Sequence, residues 1–499
     1  MAWMNELPRL FRRVPPVAAV IGAFTLLRLV LAATSPLLPQ EAYYWTWSRY
    51  PDLSYFDHPP LASYAIGMTT ALFGNTVFGV KSAAVLWSLG WNVLWARLVL
   101  DTYGDERLAA WSLLALNLTL IYEALGFGPT PDGPLLFAWV GAIWAISRVA
   151  ATGRRRWWLI AGVFTGLACL GKYAGVLIPV ITLVYLLAAA AQRRWLRRPE
   201  PYLALLLAAA IFSPVIVWNV QHHGASFAFQ STRRLSEMTG LKPRFFLVLV
   251  ATQCLVVTPW LFFVSLAAAW RGVRDLVARR IDERDLLLLV SALVPIVIFT
   301  AVSFRANAKI QWLAPAWWSL IVLGVRHVLA RPEALRRFEL GLASSAAVLG
   351  VGIVVALVPD LPLPGDFNSW SGWSEAAARV DREQAALRAV GVDSFVFGPN
   401  YKVSSLIWFH RARDERTYAQ DILGQKALQF DYFPAGRKLQ GATGLLVVSD
   451  QAQSKLDMAE VGTHFASLER IAVLQTGAMG RTTRTIEIWR GTGYRGPRP

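Results

Sequence analysis

Residues 16 to 33, PVAAVIGAFTLLRLVLAA, form an unbroken apolar run whose one charge is Arg28. At about 1.5 Å per residue a helix of this length covers about 27 Å, close to the roughly 30 Å of hydrocarbon in a bilayer. Comparable runs recur at about 78–100, 107–123, 132–149, 157–171, 173–191, 202–218, 245–269, 285–303, 311–329 and 338–358, and then stop. Of the 499 residues 55% are hydrophobic and 16% charged, with a mean hydropathy of +0.42, more than the core of a soluble chain requires. The chain reads as an α-helical polytopic membrane protein with about 11 to 13 transmembrane helices.

A net charge of +17 would suit nucleic acid, but the arginines gather in short loops between the runs. Arg154 to Arg156, then Arg193, Arg194, Arg197 and Arg198, then Arg271, Arg274, Arg279 and Arg280, then Arg331, Arg336 and Arg337 occupy alternate loops. The positive-inside rule makes those loops cytoplasmic, together with the amino terminus, where Arg9, Arg12 and Arg13 precede a retained first helix rather than a cleaved signal. The charge is topological, and no nucleic-acid partner is expected. Cys169 and Cys254 lie inside apolar runs, so neither a disulfide framework nor a cysteine-ligated metal is expected.

The opposite loops carry Glu41, Asp57, His58, Asp132, Lys172, His222, Arg233 and Lys309, so the chemistry belongs on the outer face. Two of these loops are long, 34–77 and 219–244, and the first holds the pieces AYYWTWSRY and LASYAIGMTTALFG, suited to interfacial helices. Residues 1–358 form the transmembrane domain. After a Pro, Gly and Asp linker, PDLPLPGD, residues 359–499 read as a small soluble α/β domain. Its expected helices lie at 374–390 and 403–411, and its strands at 394–397, 444–448, 470–474 and 483–489. An odd number of spans puts it outside.

The richest segment is Gln40 to Leu61, QEAYYWTWSRYPDLSYFDHPPL. Tyr43, Tyr44, Trp45 and Trp47 fit an aromatic interfacial belt as well as a site. A carboxylate near an apolar boundary is costly without a partner or a task, which singles out Glu41 and Asp57. Lys172 meets the outer face at the end of a run, where its ammonium can reach an interfacial anion, although simple snorkelling is the alternative. Arg233 and Arg234 can clamp phosphate or a sugar carboxylate or be solvated loop charge, and Lys309 is either a ligand contact or an interface anchor. His222 and His223 lack zinc-ligand spacing, so no metal is assigned.

EAYYWTWS (41–48), SYFDHPPL (54–61), TPDGPLL (130–136), LGKYAG (170–175), PVIVWN (214–219) with SFAFQSTRR (226–234), and KIQWLAPA (309–316) resemble, in order, segments of bacterial family-39 and family-83-like membrane glycosyltransferases. These are GT-C enzymes related to protein O-mannosyltransferases, to the aminoarabinose transferase of lipid A and, more closely, to the galacturonic acid transferases of lipopolysaccharide. The resemblance implies metal-independent, inverting transfer of a sugar from a polyprenyl phosphate to a lipid or glycolipid acceptor. Lipid A or the lipopolysaccharide core is the favoured acceptor, and the reaction takes place on the periplasmic side of the bacterial inner membrane. It implies no cofactor, and no partner beyond donor, acceptor and membrane lipid, so the chain is read as a monomer.

Such a reaction needs a base for the acceptor hydroxyl and cations for the departing phosphate. The family usually has Asp-Glu where this chain has Gln40-Glu41. An amide is no base, so the resemblance leaves Glu41 first and Asp57 second, with Gln40 as a sugar contact. His58 occupies the slot of a lysine beside the phosphate in the aminoarabinose transferases, and Asp132 resembles the aspartate that orients that cation. Lys172, Tyr173, Arg233, Tyr44 and Lys309 complete the expected donor and sugar contacts. The alternatives are a flippase for a polyprenyl-linked sugar, or a GT-C enzyme acting on protein or another polysaccharide. A flippase calls for ionisable residues at the bilayer midplane, whereas this sequence gathers them at the outer boundary, with Arg28 the exception and read as packing against a carbonyl or acidic partner.

Overall fold

In the computed structural model the apolar runs are helices, and the chain is described over residues 16–358 apart from 234, 235, 237 and 239, at 361, and over 371–497 apart from 435, 452, 453 and 479. The amino-terminal arginines, Arg234 and most of the PDLPLPGD linker lie outside the described residues, as does the side chain of Arg233. The first ten helices are α1 (Val17–Thr34), α2 (Pro39–Ser48), α3 (Leu61–Phe73), α4 (Val77–Tyr103), α5 (Glu106–Asn117), α6 (Leu120–Phe127), α7 (Asp132–Thr152), α8 (Arg156–Gly171), α9 (Leu177–Ala188) and α10 (Glu200–Gln221). Further apolar helices follow at Pro243–Val257, Pro259–Val277, Glu283–Ser303, Ala314–Leu329 and Pro332–Leu357.

Among the described residues seven helices are long and apolar enough to cross a bilayer, or ten if each bent pair is one span, fewer than the expected 11 to 13. The runs 107–123, 173–191 and 245–269 each break, with bends of 77°, 119° and 111°. The last break falls at Thr258, which takes φ 72° before Pro259. A proline disfavours helical backbone at the residue before it and donates no N–H, so the run cannot continue straight. Helix α8 stops at sixteen residues, below the length of a full span.

The chain divides into two units: residues 1–32, 58–62 and 82–353 form one, and 33–57, 63–81 and 354–499 form the other. Most of the first outer loop groups with the carboxy-terminal residues rather than with the helices that flank it.

Within the first unit α7, α8 and α10 pack side by side. A Cβ on Gly162 of α8 would meet the Ala204 carbonyl of α10 at 2.6 Å, so the missing side chain lets the two backbones approach. Association inside a bilayer relies on such small-residue contact, because lipid tails compete for every larger apolar side chain. Arg28 is fully buried, with Nη2 2.6 Å from Asn117 Oδ1 and 2.9 Å from Glu123 Oε2.

The second unit contains a four-stranded sheet, β1 (Ser394–Phe397), β2 (Thr443–Ser449), β3 (Ser467–Ala478) and β4 (Arg481–Thr492), in the order β1-β2-β4-β3. Strand β1 is parallel to β2 and wholly buried, and the other two pairs are antiparallel. A parallel pair needs a crossover, which includes helix Tyr401–His410. All four strands and the helix Trp373–Ala389 match the elements expected from the sequence. The helix Tyr401–His410 packs on α2, whose residues 41–47 are all buried. The aromatics of α2 are therefore packing groups within this unit: Trp45 meets Phe409 edge-on at 5.1 Å, and Tyr43 lies 4.4 Å from Tyr401.

Candidate active site

Helix α8 ends in Leu170-Gly171-Lys172-Tyr173-Ala174-Gly175, and two glycines determine what that ending does. A Cβ on Gly171 would lie 2.8 Å from the Leu135 backbone nitrogen of α7, and one on Gly175 would lie 2.5 Å from the backbone of Ala168 and Cys169. Without them the chain turns tightly back on itself, with Lys172 extended at φ −159°. That turn delivers the Lys172 Nζ to 2.7 Å from Oδ1 of Asp132, the first residue of α7. Both side chains are buried, and Asp132 also gains from the positive end of the α7 dipole. A charge-assisted hydrogen bond of this kind holds both partners in one geometry.

The pair lines a cavity of about 240 Å³ within the first unit, whose other polar lining residues are His58, Tyr173, Gln230 and Gln311. Leu135, Val176, Leu177, Ile298 and Phe299 supply apolar wall, and Trp312 lies 5.2 Å from the Phe299 ring. The cavity thus offers a fixed cation beside hydrogen-bonding groups and a greasy flank. His58, Asp132, Lys172 and Tyr173 were expected from the sequence to work together, and the fold brings them together. Lys309 is exposed and is not among the lining residues, whereas its neighbours Gln311 and Trp312 are. Gln230 sits in the short π-helix Phe229–Arg233, so the SFAFQ segment reaches the cavity.

The two carboxylates expected to supply the base lie in the second unit. Glu41 is 1% exposed. Its Oε1 lies 2.9 Å and its Oε2 2.8 Å from Nζ of Lys81, and Oε2 also accepts from the Leu38 N–H at 2.8 Å. The Leu38 contact is the return half of a capping box at the start of α2. Burial pushes the Glu41 carboxyl up, while Lys81 and the Leu38 N–H pull it down. Both oxygens of Glu41 are therefore engaged by the Lys81 ammonium.

Asp57 Oδ1 accepts from the Tyr43 hydroxyl at 2.9 Å, and that hydroxyl accepts from the Gln429 N–H at 3.1 Å. Gln429 Oε1 in turn accepts from the Phe56 N–H at 2.7 Å, which ties down the segment carrying Asp57. Burial, then the Asp57 charge, push the Tyr43 phenol well up, so it remains a proton donor. Gln40 is half-buried at the start of α2, and Tyr44 packs edge-on against Trp47 at 4.9 Å.

Sequence reading overlooked Lys81, Tyr43 as an Asp57 partner, and Gln429. Lys81 had a legible signal, since a lysine at the start of an apolar run needs a counter-ion. Gln429 had none, being one polar residue far along the chain.

Residues 57–218 match the family described as dolichyl-phosphate-mannose-protein mannosyltransferase. The lipid A galacturonosyltransferase of Rhizobium johnstonii is 28% identical over 416 residues, covering 81% of this chain and 85% of that protein. The undecaprenyl phosphate-alpha-4-amino-4-deoxy-L-arabinose arabinosyl transferase of Pseudomonas aeruginosa is 28% identical over 255 residues, 46% of this chain and 44% of its own. The structure of ArnT from Cupriavidus metallidurans bound to undecaprenyl phosphate superposes with a TM-score of 0.63 at 16% identity, covering 94% of this chain and 97% of that one. The chain therefore shares its fold with that structure along nearly its whole length and is similar in sequence to transferases that act on lipid A and on undecaprenyl phosphate sugars.

Proposed function

We propose that this enzyme transfers a sugar from undecaprenyl phosphate to lipid A or the lipopolysaccharide core, at the periplasmic face of the inner membrane. The observation that carries this reading is the buried Lys172–Asp132 pair facing a cavity with an apolar flank. The cation suits a phosphate and the flank suits an isoprenoid. Galacturonosyl and aminoarabinosyl transferases among the relatives support the donor and acceptor classes.

In the proposed mechanism Asp57 takes the proton from the acceptor hydroxyl, whose oxygen attacks the anomeric carbon as the bond to the phosphate oxygen breaks. The electron pair leaves with undecaprenyl phosphate, and the configuration inverts. Lys172, held by Asp132, and His58 stabilise the charge on that leaving group. Arg233 is retained as a further phosphate or carboxylate contact and Gln40 as a sugar contact. Glu41 is reassigned from base to support, because Lys81 engages both of its oxygens. With protein cations serving the phosphate, no metal is required in this scheme.

The test is turnover by purified protein of a radiolabelled panel of undecaprenyl-phosphate sugars with lipid A and core lipopolysaccharide. Labelled glycolipid is expected, undiminished by EDTA and lost in Asp57→Asn. Absence of transfer with every sugar, together with donor movement across vesicle membranes, would instead favour a flippase.

A further inference from the structure

Helices Glu283–Ser303 and Ala314–Leu329 are shared by two cavities of the first unit. Ile298 and Phe299, near the end of one, and Gln311 and Trp312, just before the other, line the donor cavity. Asp285, at the start of the first, and Arg326 and His327, in the last turn of the second, line another of about 370 Å³. A helix of sixteen residues at about 1.5 Å per residue separates the two by roughly 24 Å, most of the thickness of a bilayer core.

This second cavity is lined by three arginines and three aspartates, but the arginines are unevenly paired. Among its acidic groups, Asp285 pairs with Arg326 and accepts from the Tyr103 hydroxyl at 2.8 Å. Asp282 lies 2.8 Å from Nη2 of Arg284, and Asp275 lies 3.6 Å from Nη2 of Arg274. Arg271 and Arg280 line the same cavity, and their side chains make no hydrogen bond or ion pair among the described residues. His327 adds a buried Nε2 with no hydrogen-bond partner. Two uncommitted guanidiniums, Arg271 half-buried and Arg280 exposed, and an unsatisfied ring nitrogen line one concave space, a donor set that suits an anion.

We propose that this cavity binds the phosphate of an anionic membrane phospholipid in the leaflet opposite the donor cavity. Its place at the helix ends puts it at headgroup depth, and Arg271 and Arg280 present forked donors to phosphate oxygens. A bound lipid there would brace the ends of the two helices whose other ends form the donor site.

The experiment uses the full chain in detergent. Native mass spectrometry after delipidation measures retention of added phosphatidylglycerol against phosphatidylcholine, and thermal stability is followed in parallel. Wild type is expected to retain phosphatidylglycerol at least tenfold better than Arg271→Gln/Arg280→Gln. Arg336→Gln/Arg337→Gln, which removes the same charge from exposed positions outside the cavity, is expected to behave as wild type. Inorganic phosphate at millimolar concentration is expected not to displace the lipid. Equal retention by wild type and the cavity variant would overturn the proposal, as would an equal loss in the Arg336/Arg337 control. Stabilisation by inorganic phosphate alone would show a soluble-anion site instead and overturn the lipid assignment.

Discussion

The Lys81 ammonium lies within 2.9 Å of both carboxylate oxygens of Glu41, and neither residue is more than 1% exposed. An ion pair this enclosed has little net value compared with a well-packed apolar pair, yet breaking it from one side strands a charge. The residue that sequence logic put first as the base is thereby held in an ion pair at the start of α2.

Glu41→Gln is expected to destabilise the protein by about 3–5 kcal/mol, because Lys81 loses its counter-ion. Glu41→Leu/Lys81→Met should recover most of that loss. Thermal denaturation of the three proteins measures it, and turnover per folded molecule in the double variant should stay within about tenfold of wild type if Glu41 is no base. A stable double variant without turnover would return the base to Glu41.

Asp57→Asn is expected to lower kcat by about 10²- to 10⁴-fold while leaving donor binding intact. The amide keeps an acceptor for the Tyr43 hydroxyl, so folding should be little changed. Steady-state kinetics beside a donor-binding assay separate the two effects, and unaltered kcat would remove Asp57 from the chemistry.

Lys172→Ala should weaken donor binding by about ten- to a hundredfold, the scale of a hydrogen bond to a charged group. Asp132→Asn should fall between that variant and wild type, since the cation remains but is no longer held by an anion. Titration with undecaprenyl phosphate reads both, and equal affinity across the series would mean that the pair only staples α7 to α8.

Two groups of the second unit give stability opposite dependences on pH. Burial pushes Asp421 up to about 6, against the pull of Arg416, and burial pushes His410 down to about 4. Between about pH 4 and 6 folded Asp421 binds more protons than it does unfolded, so its contribution falls as pH rises. Folded His410 binds fewer over about pH 4 to 6.5, so its contribution rises with pH. Relative to wild type, Asp421→Asn should therefore make stability climb more steeply with pH, and His410→Gln should make it climb less. Amide exchange in the sheet, measured from pH 4 to 6.5, reports each slope.

The helical spans were readable in the sequence because burial in hydrocarbon imposes a length and a composition on each segment separately. The strands of the small sheet were readable for the same local reason, as in the apolar run Ser394–Phe397. Lys172 and Asp132 were legible as candidates, each being a charge at the end of an apolar run, but their contact depended on Gly171 allowing α8 to close on α7. Sequence left Glu41 and Asp57 as rival bases, and only the tertiary structure shows their different partners: Lys81 for one, and Tyr43, held by Gln429, for the other. Spans and charges follow from what each stretch of chain can bury, whereas the role of a carboxylate depends on which partner the fold brings within hydrogen-bond reach, and no single stretch encodes that.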